Sequence, residues 1–124
     1  MSVAKSRRPP HRAAHPPLDG PQLAAVADLF AVLSEPSRLR ILQVLQNGAA
    51  SVTDVCRQTG FKHANASKQL GILAAAGVVG RRQDGNHAIF SIEMPVVFEL
   101  CEIVCSGVAR QAAEYAEALS KSSA

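Results

Sequence analysis

Features of membrane and secreted proteins are absent from this 124-residue sequence. No apolar segment approaches the roughly 18 to 20 residues that a membrane-spanning helix needs. Residues 1–20 carry basic side chains but lack the apolar core of a signal peptide. The three cysteines, an odd number, do not suggest the disulfide framework of a secreted protein. We therefore expect a cytoplasmic protein with free thiols.

Motifs of enzymes are also missing. The chain has no glycine-rich phosphate loop, no HExxH motif and no pair of carboxylates in a plausible cleft. Nucleophilic catalysis needs a Cys or Ser held against a His by a third group. The histidines outside the N-terminal segment, His63 and His87, are far in sequence from Cys101 and Cys105. We predict that the protein is not an enzyme.

The charges are unevenly distributed, although 13 Lys and Arg residues against 10 Asp and Glu residues give only a modest excess. Residues 1–18 contain four basic residues and no acid, and residues 51–92 contain five basic residues against two acidic ones. Residues 93–124 contain two basic residues against five acidic ones. A polyanion would therefore bind the first two segments rather than the last.

The N-terminal part of the chain predicts an arm and two helices. Residues 1–20 are rich in Pro, Arg and Ala and cannot bury enough apolar surface to fold alone, so we expect a flexible basic arm. Pro21 opens a first helix, Gln22–Leu33, with apolar residues at helical spacing. Ser34 is a candidate N-cap for a second helix, which is apolar on most sides and stops at Asn47.

The central segment predicts two short helices followed by a β-hairpin. The first, Ser51–Gly60, begins with a capping-box pattern between Ser51 and Asp54. The second runs over His63–Ala76, with Gly77 as its stop. Alternating residues on both sides of Asp84-Gly85 then indicate a tight hairpin. This order is typical of a helix-turn-helix with a basic hairpin behind it, an arrangement that reads duplex DNA.

The second of these helices has one apolar and one polar face. Ala66, Leu70 and Leu73 are expected to point inward. The opposite face carries side chains of the types that bind base edges and phosphates in the major groove: His63, Asn65, Ser67, Lys68 and Gln69. The competing interpretation is an ordinary solvated helix face.

The last predicted helix, Pro95–Leu119, has an apolar stripe too wide for a free-standing surface helix. Together with the apolar first helix, it predicts a homodimer through the terminal helices, which would place two reading helices roughly 34 Å apart. We therefore divide the chain into the arm at 1–20, a dimer domain at 21–119 and a disordered tail at 120–124.

Two segments resemble a known family. Leu33–Leu42, LSEPSRLRIL, is similar to the L-x-(D/E)-P-x-R-L-x-I-L opening of the ArsR/SmtB winged-helix repressors. Ala64–Val79, ANASKQLGILAAAGVV, resembles their recognition-helix frame, S-x-x-L-x-x-L-x-x-A-G-(L/V)-V. The resemblance covers about residues 22–119. It implies a mainly α fold with a small β-hairpin, ordered α1-α2-α3-α4-β-β-α5.

The resemblance also implies a function. The protein would be a homodimeric repressor that binds double-stranded operator DNA and releases it when an inducer binds. Ser67, Lys68 and Gln69 would face the major groove. The residues of the hairpin, or wing, would lie near the minor groove: Arg81, Arg82, Asn86 and His87.

The inducer sites known in this family are not matched. The arsenic and cadmium sensors it resembles have two thiols where this chain has Ser51 and Thr53. The second helix of this chain contains no cysteine, unlike that of the persulfide sensors of the family. The ligand positions of the zinc and nickel sensors are occupied by Met94, Val96, Gly107 and Arg110.

Cys101 and Cys105 remain as candidate sensing residues. On a helix, residues four apart lie roughly 5 to 6 Å apart at their Cβ atoms. Two thiolates at that spacing can bind one soft ion such as As(III), Cd(II) or Zn(II), with a third ligand from elsewhere. A redox switch would instead join cysteines across the dimer or to Cys56, which is the weaker candidate.

Several alternatives stay open at this point. All three cysteines are also compatible with simple packing, because free Cys is among the most buried residue types. The protein would then be a related regulator without a thiol inducer. A winged-helix module that binds another protein is a further alternative.

Overall fold

The computed structural model describes residues 15–123. Of the predicted arm at 1–20, residues 1–14 lie outside the described residues. The helices and strands follow in this order: α1 (Gly20–Leu33), α2 (Pro36–Gln46), β1 (Ala50–Ser51), α3 (Val52–Thr59), α4 (His63–Ala75), β2 (Val79–Asp84), β3 (His87–Ile92) and α5 (Pro95–Ser123). The predicted order of five helices with a hairpin before the last is confirmed. The two-residue strand β1 was not predicted, because so short a segment has no periodicity.

The first helix begins slightly earlier than predicted because Asp19 caps it. The Asp19 carboxylate accepts a hydrogen bond from the Gln22 backbone N–H at 2.8 Å. In return, the Asp19 N–H donates to Gln22 Oε1 at 3.0 Å. This reciprocal capping box satisfies two N–H groups at the helix start, so α1 begins at Gly20 rather than at Gln22.

The prediction that Ser34 caps the second helix is wrong. Ser34 ends α1 instead, with its hydroxyl donating to the Ala31 carbonyl at 2.9 Å. The N-cap of α2 is Glu35, whose Oε1 accepts from the N–H groups of Ser37 and Arg38. A carboxylate at this place also interacts favourably with the positive end of the helix dipole.

The capping box predicted for α3 is confirmed. Ser51 Oγ accepts from the Asp54 N–H, and the Asp54 carboxylate accepts from the Ser51 N–H, both at 3.1 Å. The helix stops at Gly60, which has a left-handed φ of +81°. After two intervening residues α4 begins at His63, so α3 and α4 form the compact pair that the sequence predicts.

The strands form an antiparallel sheet in the order β1-β3-β2. The hairpin turn lies one residue later than predicted, since Asp84 pairs with His87 and the turn residues are Gly85 and Asn86. Gly85 has a φ of +62°, and no residue other than glycine has a positive φ in the described part of the chain. A glycine at the first turn position is typical of a type II′ turn, which suits tightly paired strands.

The core lies between α2, α3, α4 and the base of the hairpin, and the predicted central position of α2 is confirmed. The largest fully buried side chains are Ile41, Leu42, Leu70, Leu73, Val55, Val78 and Val97. Because the inner face of α4 packs on α2, α3 and β2, the orientation of its outer face is fixed by this core.

Helix α5 extends to Ser123, beyond the predicted end at Leu119. The expectation of a disordered tail at 120–124 therefore disagrees with helical residues 120–123. An ion pair between Glu117 and Lys121 at i and i+4 supports this last turn. Only the start of α5 packs on the core, and residues 108–122 are all exposed. Among residues 15–123, no helix is long and apolar enough to cross a membrane.

Candidate nucleic-acid interface

The two faces of α4 are divided largely as the sequence predicts. Ala66, Leu70 and Leu73 are fully buried against the core. His63, Ser67 and Lys68 are exposed, and Asn65 is half-buried in the first turn. The side chain of Lys62, which precedes the helix, makes no capping hydrogen bond. The first N–H groups of α4 are therefore available to anionic oxygens, as at many phosphate-binding helix ends.

Gln69 does not lie on the outer face, and the prediction that it faces the groove is wrong. Its side chain is 8% exposed. Its Oε1 accepts a hydrogen bond from Arg38 Nη1 at 2.9 Å, and its Nε2 donates to Asn65 Oδ1 at 3.2 Å. Both ends of the amide are thus satisfied inside the protein, which makes burial of this polar group tolerable.

Arg38 is a residue whose role the sequence analysis missed. Besides its bond to Gln69, its Nε donates to the Val32 carbonyl at 2.6 Å. One guanidinium therefore connects the last turn of α1 with α4, from a position on α2. The available signal was the arginine at the fixed R position of the L-x-(D/E)-P-x-R-L-x-I-L pattern.

The wing places its four predicted residues on the surface. Arg81 and Arg82 are exposed on β2, Asn86 lies in the turn, and His87 begins β3. Neighbouring strand residues point to opposite faces, so the two arginines cover both sides of the wing. Neither arginine forms an ion pair with a carboxylate in the described part of the chain. Their charges are therefore free to attract phosphates.

Cys101 and Cys105 lie on α5 beside α2, at the edge of a cleft of about 670 Å³. Cys101 is 5% exposed and Cys105 is half-buried. The cleft is lined mainly by polar side chains, namely Arg40, Gln43, Gln46, Asn47, Gln58, Glu102 and Ser106, with Val44 and Phe98. Cys56 lies on α3, packed against the core, and is not part of this lining.

The environment of Cys101 favours the neutral thiol. Burial raises the pKa of Cys101 above its ordinary value, and the nearby Cys105 adds a smaller effect in the same direction. Among residues 15–123, no group of three or more His, Cys, Asp or Glu side chains is placed to hold a metal ion. The two thiols therefore supply two soft donors, and one chain does not complete a three-coordinate site within the described residues.

Comparison with known proteins places this arrangement in a family. A family model described as a helix-turn-helix domain matches residues 33–82, which contain α2, α3 and α4. The chain is 40% identical over 85 residues to the HTH-type transcriptional regulator Rv0081 of Mycobacterium tuberculosis (strain ATCC 25618 / H37Rv). That match covers 68% of this chain and 75% of the relative.

Solved structures agree with the sequence match. The crystal structure of Rv0081 has a TM-score of 0.66 and 36% identity, covering 77% of this chain and 97% of that one. The homodimeric winged helix-turn-helix DNA-binding domain of Mb0332 from Mycobacterium bovis, described as a possible ArsR-family regulator, has a TM-score of 0.67 and 26% identity, with coverage of 79% and 91%.

A third structure, the antimony-specific transcriptional repressor AntR, has a TM-score of 0.72 and 27% identity, covering 80% of this chain and 90% of that one. These relatives are transcriptional regulators rather than enzymes, as the sequence predicts. This chain belongs to the ArsR/SmtB family of winged helix-turn-helix transcriptional repressors.

Proposed function

We propose that two copies of this chain bind operator DNA through α4 and the wing, and release it when an inducer acts on Cys101 and Cys105. The observation that carries the DNA-binding surface is the exposed polar start of α4 beside a wing whose two arginines form no ion pair within residues 15–123. His63, Ser67 and Lys68 are free to contact base edges and phosphates in the major groove. Arg81 and Arg82, with Asn86 and His87, contact the backbone near the minor groove.

A second copy covers the apolar surface of the terminal helices. Leu23, Val26 and Phe30 recur along one side of α1, and Leu23 and Phe30 are more than half exposed. On α5, Ile103 is 70% exposed, and the helix carries further exposed apolar residues as far as Leu119. Surfaces of this kind mark protein interfaces. The similar Mb0332 domain is described as homodimeric, which supports a second copy as the occupant.

The thiol pair is the proposed point of induction. Cys101 contributes both to the polar cleft and to a smaller apolar pocket, which Phe30, Leu33 and Leu39 share from α1 and α2. A change in the size or charge of this sulfur therefore shifts α5 relative to α1 and α2. A soft ion, As(III), Cd(II) or Zn(II), would take both sulfurs as thiolates and need a further donor from outside the described residues. The likeness to an antimony-specific repressor supports a soft inducer.

The test is a DNA-release titration with arsenite, Cd(II), Zn(II), persulfide and peroxide. Wild type is compared with the Cys101→Ser, Cys105→Ser double variant, and Cys56→Ser serves as the matched control. We expect at least one compound to release DNA from wild type and from the control but not from the double variant. An identical response of the double variant to every compound would contradict induction at these thiols.

The DNA surface is tested separately with Lys68→Ala and Arg81→Ala. We expect both variants to bind operator DNA more weakly while they sediment as dimers like the wild type. Retained affinity in both variants would contradict the assignment of α4 and the wing as the DNA-binding surface.

A further inference from the structure

Three side chains form a hydrogen-bonded series that ends in the first turn of α4. Arg38 Nη1 donates to Gln69 Oε1, and Gln69 Nε2 donates to Asn65 Oδ1. Gln69 is buried and Asn65 is half-buried, so the series runs from the interior towards the surface that carries His63 and Ser67. It therefore connects a half-buried arginine of α2 with the part of a reading helix that contacts base edges.

The chemistry of Arg38 determines how both amides are turned. A guanidinium carries only donors, so the atom of Gln69 that faces it must be the oxygen. The nitrogen of Gln69 must then face Asn65, and because an amide nitrogen only donates, Asn65 must turn its oxygen inward. The orientation of Asn65 thus follows from a residue 27 positions earlier in the chain.

With its oxygen turned inward, Asn65 presents its Nδ2 group, a hydrogen-bond donor, to the surface. The Nδ2 group of Asn65 has no hydrogen-bond partner within the described residues, since the bond to Gln69 is the only hydrogen bond of its side chain there. Major-groove acceptors that such a donor can reach are N7 and O6 of guanine, N7 of adenine and O4 of thymine. A freely turning asparagine would instead be able to bind adenine through its oxygen and nitrogen together.

We propose that Arg38 and Gln69 are positioning residues that set the base preference of Asn65. The inference rests on the proposed function, because Asn65 must lie against DNA for its orientation to matter. Asn65 reads one base position in each half-site as a donor, and Gln69 holds it in that state. Arg38 is itself fixed by its bond to the Val32 carbonyl, so the anchor of the series lies at the end of α1.

Gln69→Glu is the decisive substitution. A glutamate at this position keeps an oxygen for Arg38 but has no hydrogen to donate to Asn65. The Asn65 amide must then turn its nitrogen inward and present its oxygen to DNA. Asn65→Asp gives an acceptor at the same place by an independent route, and its half-exposed site limits any effect on folding.

The measurement is selection from a library of random DNA duplexes long enough for two half-sites one helical turn apart. Wild type, Gln69→Glu, Asn65→Asp and Asn65→Ala are compared as full-length proteins, with thermal unfolding as a check on folding. We expect Asn65→Ala to flatten the preference at one position. At that position, Gln69→Glu and Asn65→Asp should shift the base preference by about three- to tenfold towards a base that presents a donor, which is N4 in cytosine or N6 in adenine.

Gln83→Glu is the matched control, because it adds the same charge to the exposed wing. It should weaken binding without changing the preference at the Asn65 position. The inference is overturned if Gln69→Glu keeps the wild-type preference there, or if Asn65→Ala changes no position. Failure of the proposed function gives a different result, because wild type itself would then enrich no sequence.

Discussion

Gln46 Nε2 donates to Glu102 Oε1 at 3.1 Å, which joins α2 to α5 beside Cys101. The same nitrogen lies 3.4 Å from the Phe98 carbonyl. These contacts lie in the first part of α5, which packs on α2 and β3, whereas residues 108–122 are all exposed. The contacts of Gln46 are therefore one part of what holds α5 against α2, and they lie beside the cysteines at which we propose that an inducer acts.

Glu102→Ala tests the strength of this connection. The hydrogen bond is exposed, so its loss should lower the free energy of unfolding by less than about 1 kcal/mol. We expect the same substitution to reduce the response of DNA binding to the inducer, since α5 is then less firmly connected to α2. Urea unfolding at one fixed protein concentration measures the change in stability. The DNA-release titration measures the change in the inducer response.

Glu99→Ala is the control for this prediction. Glu99 is also an exposed glutamate on α5, but it has no contact partner in the described part of the chain. Glu99→Ala should leave both the free energy of unfolding and the response of DNA binding to the inducer unchanged. Equal effects of the two substitutions would show that the charge of α5, and not the bond to Gln46, is responsible.

Ile103→Asp should separate the proposed dimer. The side chain is 70% exposed in the single chain, so the monomer should tolerate the change. In a dimer, the lost apolar burial and the buried carboxylate should raise the dissociation constant by at least about tenfold. Sedimentation over a concentration series gives this constant. Thr53→Asp adds the same charge to an exposed site on α3, and it should dimerise like wild type.

The wing arginines should determine part of the salt dependence of DNA binding. Each cation that neutralises a phosphate contributes about 0.9 to the slope of log K against log salt concentration. Arg81→Ala and Arg82→Ala should each reduce that slope by about 1 per subunit that contacts DNA. Arg110→Ala removes the same charge from exposed α5 and should not change the slope. A slope unaffected by both wing substitutions would place the wing away from the backbone.

Local patterns in the sequence were sufficient for most of the fold. The partners of the capping box, Ser51 and Asp54, are only three positions apart, so both are visible in one short segment. The inward residues of α4 follow from helical spacing alone. The hairpin turn was displaced by one residue because both Asp84-Gly85 and Gly85-Asn86 are good turn pairs, and only the strand register decides between them.

The candidate site was less predictable because it depends on contacts between distant residues. Gln69 is polar and lies next to exposed Lys68, which favoured an outward position. Its burial depends on Arg38, which precedes it by 31 residues and supplies the donor that a buried amide oxygen needs. Helical spacing does place Gln69 on the side of Ala66 and Leu70. The partner that makes a polar side chain acceptable there lies outside α4, and the sequence of α4 alone does not show it. The same holds for Ser34 and Glu35, where two possible caps compete and the side chain that reaches two N–H groups becomes the N-cap.

The raised pKa of Cys101 predicts how stability changes in alkaline solution. In the unfolded chain a thiol ionises near a pH of about 8.5. The folded chain retains the proton to higher pH because burial disfavours the thiolate. Above that pH the unfolded state loses its proton first and is favoured, so the free energy of unfolding falls as pH rises from the unfolded towards the folded pKa.

Cys101→Ser removes this titration while it keeps the size of the side chain similar. The difference in unfolding free energy between wild type and Cys101→Ser should therefore be constant below about pH 8. Above about pH 8.5, wild type should lose stability relative to Cys101→Ser. Urea unfolding across this range measures it, and groups that titrate equally in both proteins cancel. A difference independent of pH would contradict the prediction, because Cys101 would then ionise as readily in the folded protein as in the unfolded chain.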